Sequence, residues 1–456
     1  MIDNARKFSR RSFLKAGVGT TAMLEMSAMP IVAGGNQDAP GKSARKVKLA
    51  AIGTGSMAKQ DLQNMLDEEF VAFCDVDERS LQWVREKFPK AKIYKDYHVM
   101  LKEVHELIDA VTVIVPDHIH APAALEAMKY GKAVFCEKPM AHSVAECRAM
   151  RTMAKAKNII TQVGNQGHAS EHMRIFKEWV LDGAIGRVKE VHVWCDMMQW
   201  LYYHKPAELD LHPPVPAELD WNLWQGAVPE HAYLENCVPQ KWRGWRMYGS
   251  GALGDWVCHM FDPIFWTFEL DMPVAVTAEI DGYDGPASEF IYPKGSKITW
   301  EFIVKSSGEP LKIHWYDGTI KVPRPADLEP ERKLDIAGVY VVGDKGTILH
   351  GAHGAGSCRI IPESKMQAYK RPPKTLSRCQ VGHYKEWLNA VREGVHSTGS
   401  PFEYGGRLTE AGLLGLVAQR FPGRRLIYSE AEMRFTNCEE ANKWLYPVMR
   451  EDRKFM

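Results

Sequence analysis

Short apolar runs alternate through the first third of the chain with stretches whose apolar residues recur every three or four positions. The runs at 47–52, 70–74, 92–94, 110–115, 133–136 and 159–163 read as strands. Helical patterns separate them at 59–66, 78–88, 97–105, 121–130 and 143–157. A strand that is apolar at nearly every position is buried on both faces, as happens when helices cover both sides of a parallel sheet. The pattern therefore predicts an N-terminal α/β domain over residues 45–165. From residue 164 the connections lengthen and become rich in Trp, Pro and His, and further strand-like runs follow at 275–280, 298–304, 311–316 and 339–342. A second domain is expected over 166–428, followed by a C-terminal extension at 429–456.

The first strand runs directly into Gly53-Thr54-Gly55-Ser56-Met57-Ala58 and then a helical pattern. Strand, glycine turn and helix in that order suit a dinucleotide. Gly53 permits the tight turn, Gly55 lets the backbone approach a pyrophosphate, and Ala58 allows close helix packing, with the helix N-terminus offering N–H groups to phosphate. The second strand ends in Asp75, twenty positions after Gly55. A carboxylate there accepts hydrogen bonds from the adenosine ribose and repels the 2′-phosphate of NADP, so NAD is the expected cofactor. The alternative role for Asp75 is to cap the helix that follows.

The other expected cofactor contacts lie where later strands end. Pro116 and His120 follow the fourth strand, Glu137 and Lys138 the fifth, and Asn165 and Gln166 the sixth. Ligands of doubly wound sheets bind at such carboxyl ends. Asn165 and Gln166 also suit simple backbone capping of their turn. Lys138 precedes Pro139, which restricts it to extended conformations, and its ammonium must reach either a carboxylate or a polar cleft.

Farther along, Asp255 and His259 stand four residues apart in a segment expected to be helical, and so share one face. That spacing makes a carboxylate-oriented imidazole possible, one able to accept an alcohol proton. Asp255, His259 and Asp262, or Cys258 with His259, do not make a consistent metal-ligand set, and no metal is expected. Trp200, Tyr202, Tyr203, His204, Trp242, Arg243 and Trp245 form either a platform for sugar rings or ordinary aromatic core.

Charge and composition narrow the partners. The chain carries 58 basic and 57 acidic side chains in 456 residues, which excludes the clustered positive charge that nucleic acid selects. No apolar run approaches membrane-spanning length, so no membrane anchor is expected. The nine cysteines have no regular spacing and do not read as a disulfide framework. At the N-terminus, Ser9-Arg10-Arg11-Ser12-Phe13-Leu14-Lys15 precedes a weakly apolar stretch and a Gly/Pro-rich segment. This resembles a twin-arginine export signal over residues 1–40, and implies a periplasmic or otherwise exported protein.

The glycine turn with Asp75, the sequence Pro116-Asp117-His118-Ile119-His120, and above all Cys136-Glu137-Lys138-Pro139 resemble the glucose-fructose oxidoreductase, inositol dehydrogenase and MocA family. The likeness spans roughly residues 47–428. It implies a Rossmann domain followed by an α/β domain with an open, largely antiparallel sheet, whose face often mediates dimers or tetramers. It also implies catalytic roles for Lys138, Asp255 and His259, with Lys138 reaching toward the nicotinamide and a substrate hydroxyl. The expected activity is NAD-dependent oxidation or reduction of a sugar, sugar derivative or cyclitol. An alternative within the family is glycoside cleavage by transient oxidation, elimination and reduction; a non-catalytic carbohydrate binder is a third.

Overall fold

The computed structural model describes residues 45–282 and 286–456. Residues 1–40, expected to be an export signal, lie outside the described residues.

Six strands form the first sheet: β1 (Lys48–Ile52), β2 (Glu69–Cys74), β3 (Lys92–Tyr94), β4 (Ala110–Val113), β5 (Ala133–Cys136) and β6 (Thr161–Val163). Their order is β3-β2-β1-β4-β5-β6 and every pairing is parallel. The winding reverses between β1 and β4, which opens a crevice beyond their carboxyl ends. Gly53 and Pro116 both sit there.

Two helix boundaries differ from the periodicity. The helix after the glycine turn is Ser56–Leu62, starting three residues early because Gly55 is its extended N-cap. The helix after β4 is Asp117–Lys129, so His118 and His120 lie in its first turn and not in a loop. Pro122 suggests a helix start by its missing N–H, yet here it falls inside the helix.

The second sheet has nine strands in the order β13-β12-β11-β7-β10-β9-β8-β14-β15. In chain order they are β7 (Val188–Cys195), β8 (Ala275–Asp281), β9 (Gly295–Ile303), β10 (Pro310–Gly318) and β11 (Ala337–Gly343), then β12 (Thr347–His350), β13 (Arg359–Ile361), β14 (Leu426–Ser429) and β15 (Arg434–Phe435). Only β7 and β10 pair in parallel. The architecture is thus a parallel Rossmann sheet followed by a mixed, mostly antiparallel sheet. Alternate residues of the central strands, among them Val191, Val193, Trp300, Ile313 and Trp315, are buried. The helices Gly251–Met260 and Phe402–Ala418 share their hydrophobic cluster. Gly415 allows the close approach of the second helix, since a Cβ there would lie 2.4 Å from the Trp300 ring. Trp300 Nε1 donates to the Ala411 carbonyl at 2.8 Å.

The C-terminal part of the chain serves both sheets. Trp387, Leu388 and Val391, from the helix His383–Glu393, pack with Leu49 and Phe135 of the first sheet. Within 429–456, β15 forms an edge of the second sheet and Leu445 is fully buried.

Candidate active site

A cleft with about 1110 Å³ of empty space, counted with its open mouth, lies over the crevice between β1 and β4. Gly53, Gly55, Ser56, Met57 and Asp75 line one side, while Pro116, Glu137 and Lys138 also reach it. The opposite wall includes Trp224, Trp242 and Arg243.

The two turn glycines have different reasons to be glycine. Gly53 has φ +93°, and a Cβ there would stand 2.0 Å from the Ile114 carbonyl oxygen. The fold demands it. At Gly55 a Cβ would meet nothing nearer than Ser80 Oγ at 3.8 Å. The fold leaves that position free, so the bare backbone serves whatever approaches from the cleft.

Asp75 is held by its neighbours. Its Oδ2 accepts from Thr54 N at 2.8 Å and lies 2.9 Å from Thr54 Oγ1, while Oδ1 accepts from Asp77 N at 2.9 Å. Burial raises its pKa, and these donors oppose the rise. Thr54 is buried and does not line the cleft; it orients Asp75. The cap of the helix Glu78–Lys87 is Asp77, which accepts from Arg79 N and also grips the Arg79 guanidinium at 2.8 and 2.6 Å. Asp75 is therefore not the helix cap.

Lys138 extends from the end of β5 to the helix Gly251–Met260. Its ammonium bonds the Asp255 carboxylate and, at 3.1 Å, the Asp255 carbonyl. Tyr202 donates to Asp255 Oδ2 at 2.5 Å, and Arg243 Nε lies 3.5 Å from the same atom. Burial disfavours both charges, but each partner outweighs it. Asp255 is held well below the usual carboxylate range by Lys138 and Arg243, and Lys138 is raised by Asp255 and Glu137.

The structure corrects the expected Asp255–His259 hydrogen bond. Asp255 is committed to Lys138 and Tyr202, and His259 Nδ1 has no partner. The His259 ring instead lies 4.5 Å from His353 and 5.9 Å from Trp256, centroid to centroid. Burial first, then His353 and Lys138, push its pKa well below the usual value. The imidazole is consequently neutral at physiological pH, with lone-pair capacity for a proton.

Four expected cofactor residues lie off the cleft surface. Gln166 Nε2 donates to Glu137 Oε1 and to Tyr384 Oη, both at 3.0 Å. Tyr384 in turn donates to Asp61 Oδ1 at 2.5 Å. Burial raises Asp61 to about 6, and burial with the neighbouring Asp61 raises Glu137 well above its ordinary value. Gly164 makes room for this group, because a Cβ there would collide with Glu137 Oε1 at 2.0 Å. Asn165 Nδ2 donates to Asp262 Oδ2 at 3.0 Å, and Asp262 Oδ1 receives Tyr404 at 2.6 Å and faces His168 Nδ1 at 2.9 Å. His120 pairs through Nδ1 with the Pro139 carbonyl at 2.7 Å, and its Nε2 has no partner. Thr54 orients, Asn165 and Gln166 brace, and His120 supports the Lys138–Pro139 turn.

The suggested aromatic platform divides. Trp245 is fully buried and stacks on His204 at 4.0 Å, as core. Tyr202 orients Asp255, Trp242 lines the cleft beneath Arg243 at 4.3 Å, and Trp200 is exposed. Asp61, Tyr384 and His353 were not singled out by sequence. Only His353, in the glycine-rich segment Gly351-Ala352-His353-Gly354, carries any local signal.

A parallel sheet with a glycine turn at its reversal point, whose own Lys138 pairs with Asp255 of a second α/β domain, defines a nucleotide-dependent oxidoreductase architecture. Residues 47–165 match the oxidoreductase family's NAD-binding Rossmann fold and residues 171–290 its C-terminal alpha/beta domain, and the chain belongs to this Gfo/Idh/MocA family. The first domain is thus an NAD-binding Rossmann domain, and the open Gly55, the fixed Asp75 and the cleft between them fit that cofactor.

Among curated relatives, myo-inositol 2-dehydrogenase of Thermotoga maritima is 29% identical over 144 residues, 31% of this chain and 42% of that protein. Levoglucosan dehydrogenase of Pseudarthrobacter phenanthrenivorans is 30% identical over 155 residues, 34% of this chain and 32% of that protein. The matched stretch thus spans less than half of either relative. Among solved structures, an aldose-aldose oxidoreductase from Caulobacter crescentus complexed with glycerol shares the fold at TM-score 0.56 and 18% identity, over 84% of this chain and 100% of that one. The WlbA dehydrogenase from Bordetella pertussis, in complex with NADH and UDP-GlcNAcA, aligns at TM-score 0.56 and 18% identity, over 84% and 99%.

Proposed function

We propose that this protein oxidises or reduces a ring hydroxyl of a sugar, sugar derivative or cyclitol, using NAD held in the cleft. The observation that carries the reading is the charged Lys138–Asp255 pair, in which Lys138 lines the cleft and Asp255 stands buried behind it, with the buried neutral His259 on the same helix as Asp255. NAD, when bound, supplies the two-electron acceptor or donor for the carbinol carbon. The chain's residues handle the proton. Lys138 donates a hydrogen bond to the substrate hydroxyl oxygen and favours its ionisation, Asp255 keeps that lysine charged and aimed, and His259 receives the proton. Trp242 and Arg243 offer a ring face and donors for a polyhydroxylated substrate. The substrates named for the inositol, levoglucosan and aldose enzymes above support this class.

Export and assembly belong to the same reading. The Ser9–Lys15 motif directs the folded protein out of the cytoplasm; outside the membrane little free NAD is available, so the cofactor is bound and recycled. The open sheet supports a homo-oligomer. The test is product analysis of the purified protein with a panel of free sugars, cyclitols and glycosides, together with assay of nucleotide released on denaturation. Oxidised or reduced sugars with nucleotide in the protein are expected. Glycoside cleavage without net redox would instead establish the elimination chemistry, and inactivity on every class would overturn the proposal.

A further inference from the structure

The face of the second sheet opposite Val191 and Val193 carries polar groups that the proposed reaction does not use. The register places Tyr340 of β11, His192 of β7, His314 of β10 and Thr299 of β9 in one row across four adjacent strands. Glu190, two residues before His192, shares that face. His192 and His314 are far apart in sequence and become neighbours through the parallel β7–β10 pairing.

We propose that His192, His314 and Glu190 bind one divalent transition-metal ion of the zinc class on this face. Three observations converge. The Nε2 atoms of His192 and His314 lie 3.4 and 3.7 Å from the two Glu190 oxygens, and one ligand atom from each residue falls within a 4.8 Å cluster. Tetrahedral bonds of about 2 Å separate ligand atoms by roughly 3.3 Å, so the spacing needs little adjustment. The same spacing is long for a charge-assisted hydrogen bond, which closes to about 2.7–2.9 Å.

The Nδ1 atoms supply the second observation. His192 Nδ1 lies 3.1 Å from Tyr316 Oη and His314 Nδ1 lies 2.9 Å from Thr299 Oγ1. Each hydroxyl oxygen is placed to accept Nδ1–H, and that tautomer leaves a bare Nε2 facing Glu190, as in metal-bound histidines. Third, the rings are preorganised: His192 and His314 stack at 5.0 Å and His192 stacks on Tyr340 at 4.4 Å. The nearby Lys297 ammonium is engaged by Glu279 at 2.7 Å. Two imidazoles and one carboxylate suit zinc, cobalt, nickel or copper, and leave a fourth position for a non-protein ligand.

The experiment uses full-length protein, purified without a histidine tag and treated with chelator, titrated with Co²⁺ and followed by visible absorption, then back-titrated with Zn²⁺. One equivalent of Co²⁺ per chain, displaced by Zn²⁺, is expected. His192→Gln, His314→Gln and Glu190→Gln should each weaken binding by at least about tenfold, and Thr299→Val should weaken it less, through the lost Nδ1 partner. Circular dichroism of the metal-free variants checks that they are folded; Glu190 is partly exposed, so its variant retains the test if a histidine variant does not fold. No saturable Co²⁺ binding by wild type, or wild-type affinity in a folded Glu190→Gln or His192→Gln/His314→Gln protein, would overturn the site.

Discussion

The glycine turn and Lys138 line the same cleft, but they are built over different sequence distances. The turn is local: β1, Gly53, Gly55 and the Asp75 that follows β2 all fall within 28 residues, and Thr54 ties Asp75 to the turn directly. The wall around Lys138 is long-range, since Asp255 lies 117 residues away and Tyr202 reaches Asp255 across 53 residues. Local geometry transmits function through backbone shape, whereas the long-range wall transmits it through compensated buried charge. The two regions should therefore fail differently when altered.

The largest effect is expected at the wall. Lys138→Ala removes the donor to substrate and leaves the Asp255 carboxylate buried without its main cation. Turnover should fall by about 10²–10⁴, and breaking such a pair costs about 3–5 kcal/mol of stability. Lys138→Met/Asp255→Leu separates the two losses. Thermal unfolding should return part of the way toward wild type, because the buried carboxylate and its ammonium are removed together while Arg243 still loses its nearby carboxylate, and turnover stays lost. A double variant with restored turnover would remove the pair from the mechanism. His259→Ala, by contrast, should lose about 10²-fold in turnover with nucleotide retention unchanged.

At the turn, the two glycines should part company. Gly53→Ala drives a Cβ into the Ile114 carbonyl at a positive φ, and should lower the unfolding midpoint markedly. Gly55→Ala meets open space, so its midpoint should stay near wild type while NAD binding weakens by about tenfold or more. Calorimetry and equilibrium dialysis on the same preparations decide it. If both variants lost only stability, the turn would be structural.

The same contrast explains what was legible in the sequence. The Rossmann strands, the glycine turn and Asp75 could be read because strand period, turn chemistry and a short spacing act within one βαβ unit. Lys138, Asp255 and His259 stood out as residue types, but their pairing did not. Helical spacing brings Asp255 and His259 to one face, yet the carboxylate turns to Lys138 and Tyr202, a choice made by tertiary charge. Asp61 and Tyr384 gave no signal, since each lies in an ordinary amphipathic helix and their contact spans 323 residues. β7 was not picked out, although its buried Val191 and Val193 alternate with Glu190, His192 and Trp194.

The cluster below the turn offers a pH test of the comparison. Burial raises the Asp61 carboxyl from its ordinary 3.8 to about 6 in the folded protein, outweighing the Tyr384 hydrogen bond. Its folded pKa is raised, so its contribution to stability is present below about pH 4 and lost as pH rises through about 6. Asp61→Asn keeps the Oδ1 acceptor for Tyr384 and cannot ionise. Relative to wild type it should be more stable by on the order of 2 kcal/mol at pH 8, with the gain shrinking toward pH 4. Denaturant unfolding at the two pH values measures the difference, and a gain independent of pH would show that ionisation of Asp61 is not its source.

The smallest expected effect is the most specific to the turn. Asp75 receives two backbone N–H groups, from Thr54 and Asp77, and both persist as donors to Oδ1 and Oδ2 only if both positions are oxygens. Asp75→Ser shortens the side chain and removes the charge, leaving space where a 2′-phosphate would stand. NAD affinity should fall because the ribose loses its acceptor, and NADP affinity should rise because the repulsion is gone. Each change is about tenfold or less, since one hydrogen bond to a charged group is worth about 1.5–3 kcal/mol and part of it is recovered by water. Arg79 contributes little to the gain while Asp77 grips its guanidinium, and Asp75→Ser/Asp77→Ala should release it and raise NADP affinity further. Binding of both nucleotides to ligand-stripped protein measures the ratio. Wild type preferring NADP, or an Asp75→Ser ratio equal to wild type, would place cofactor selection outside Asp75.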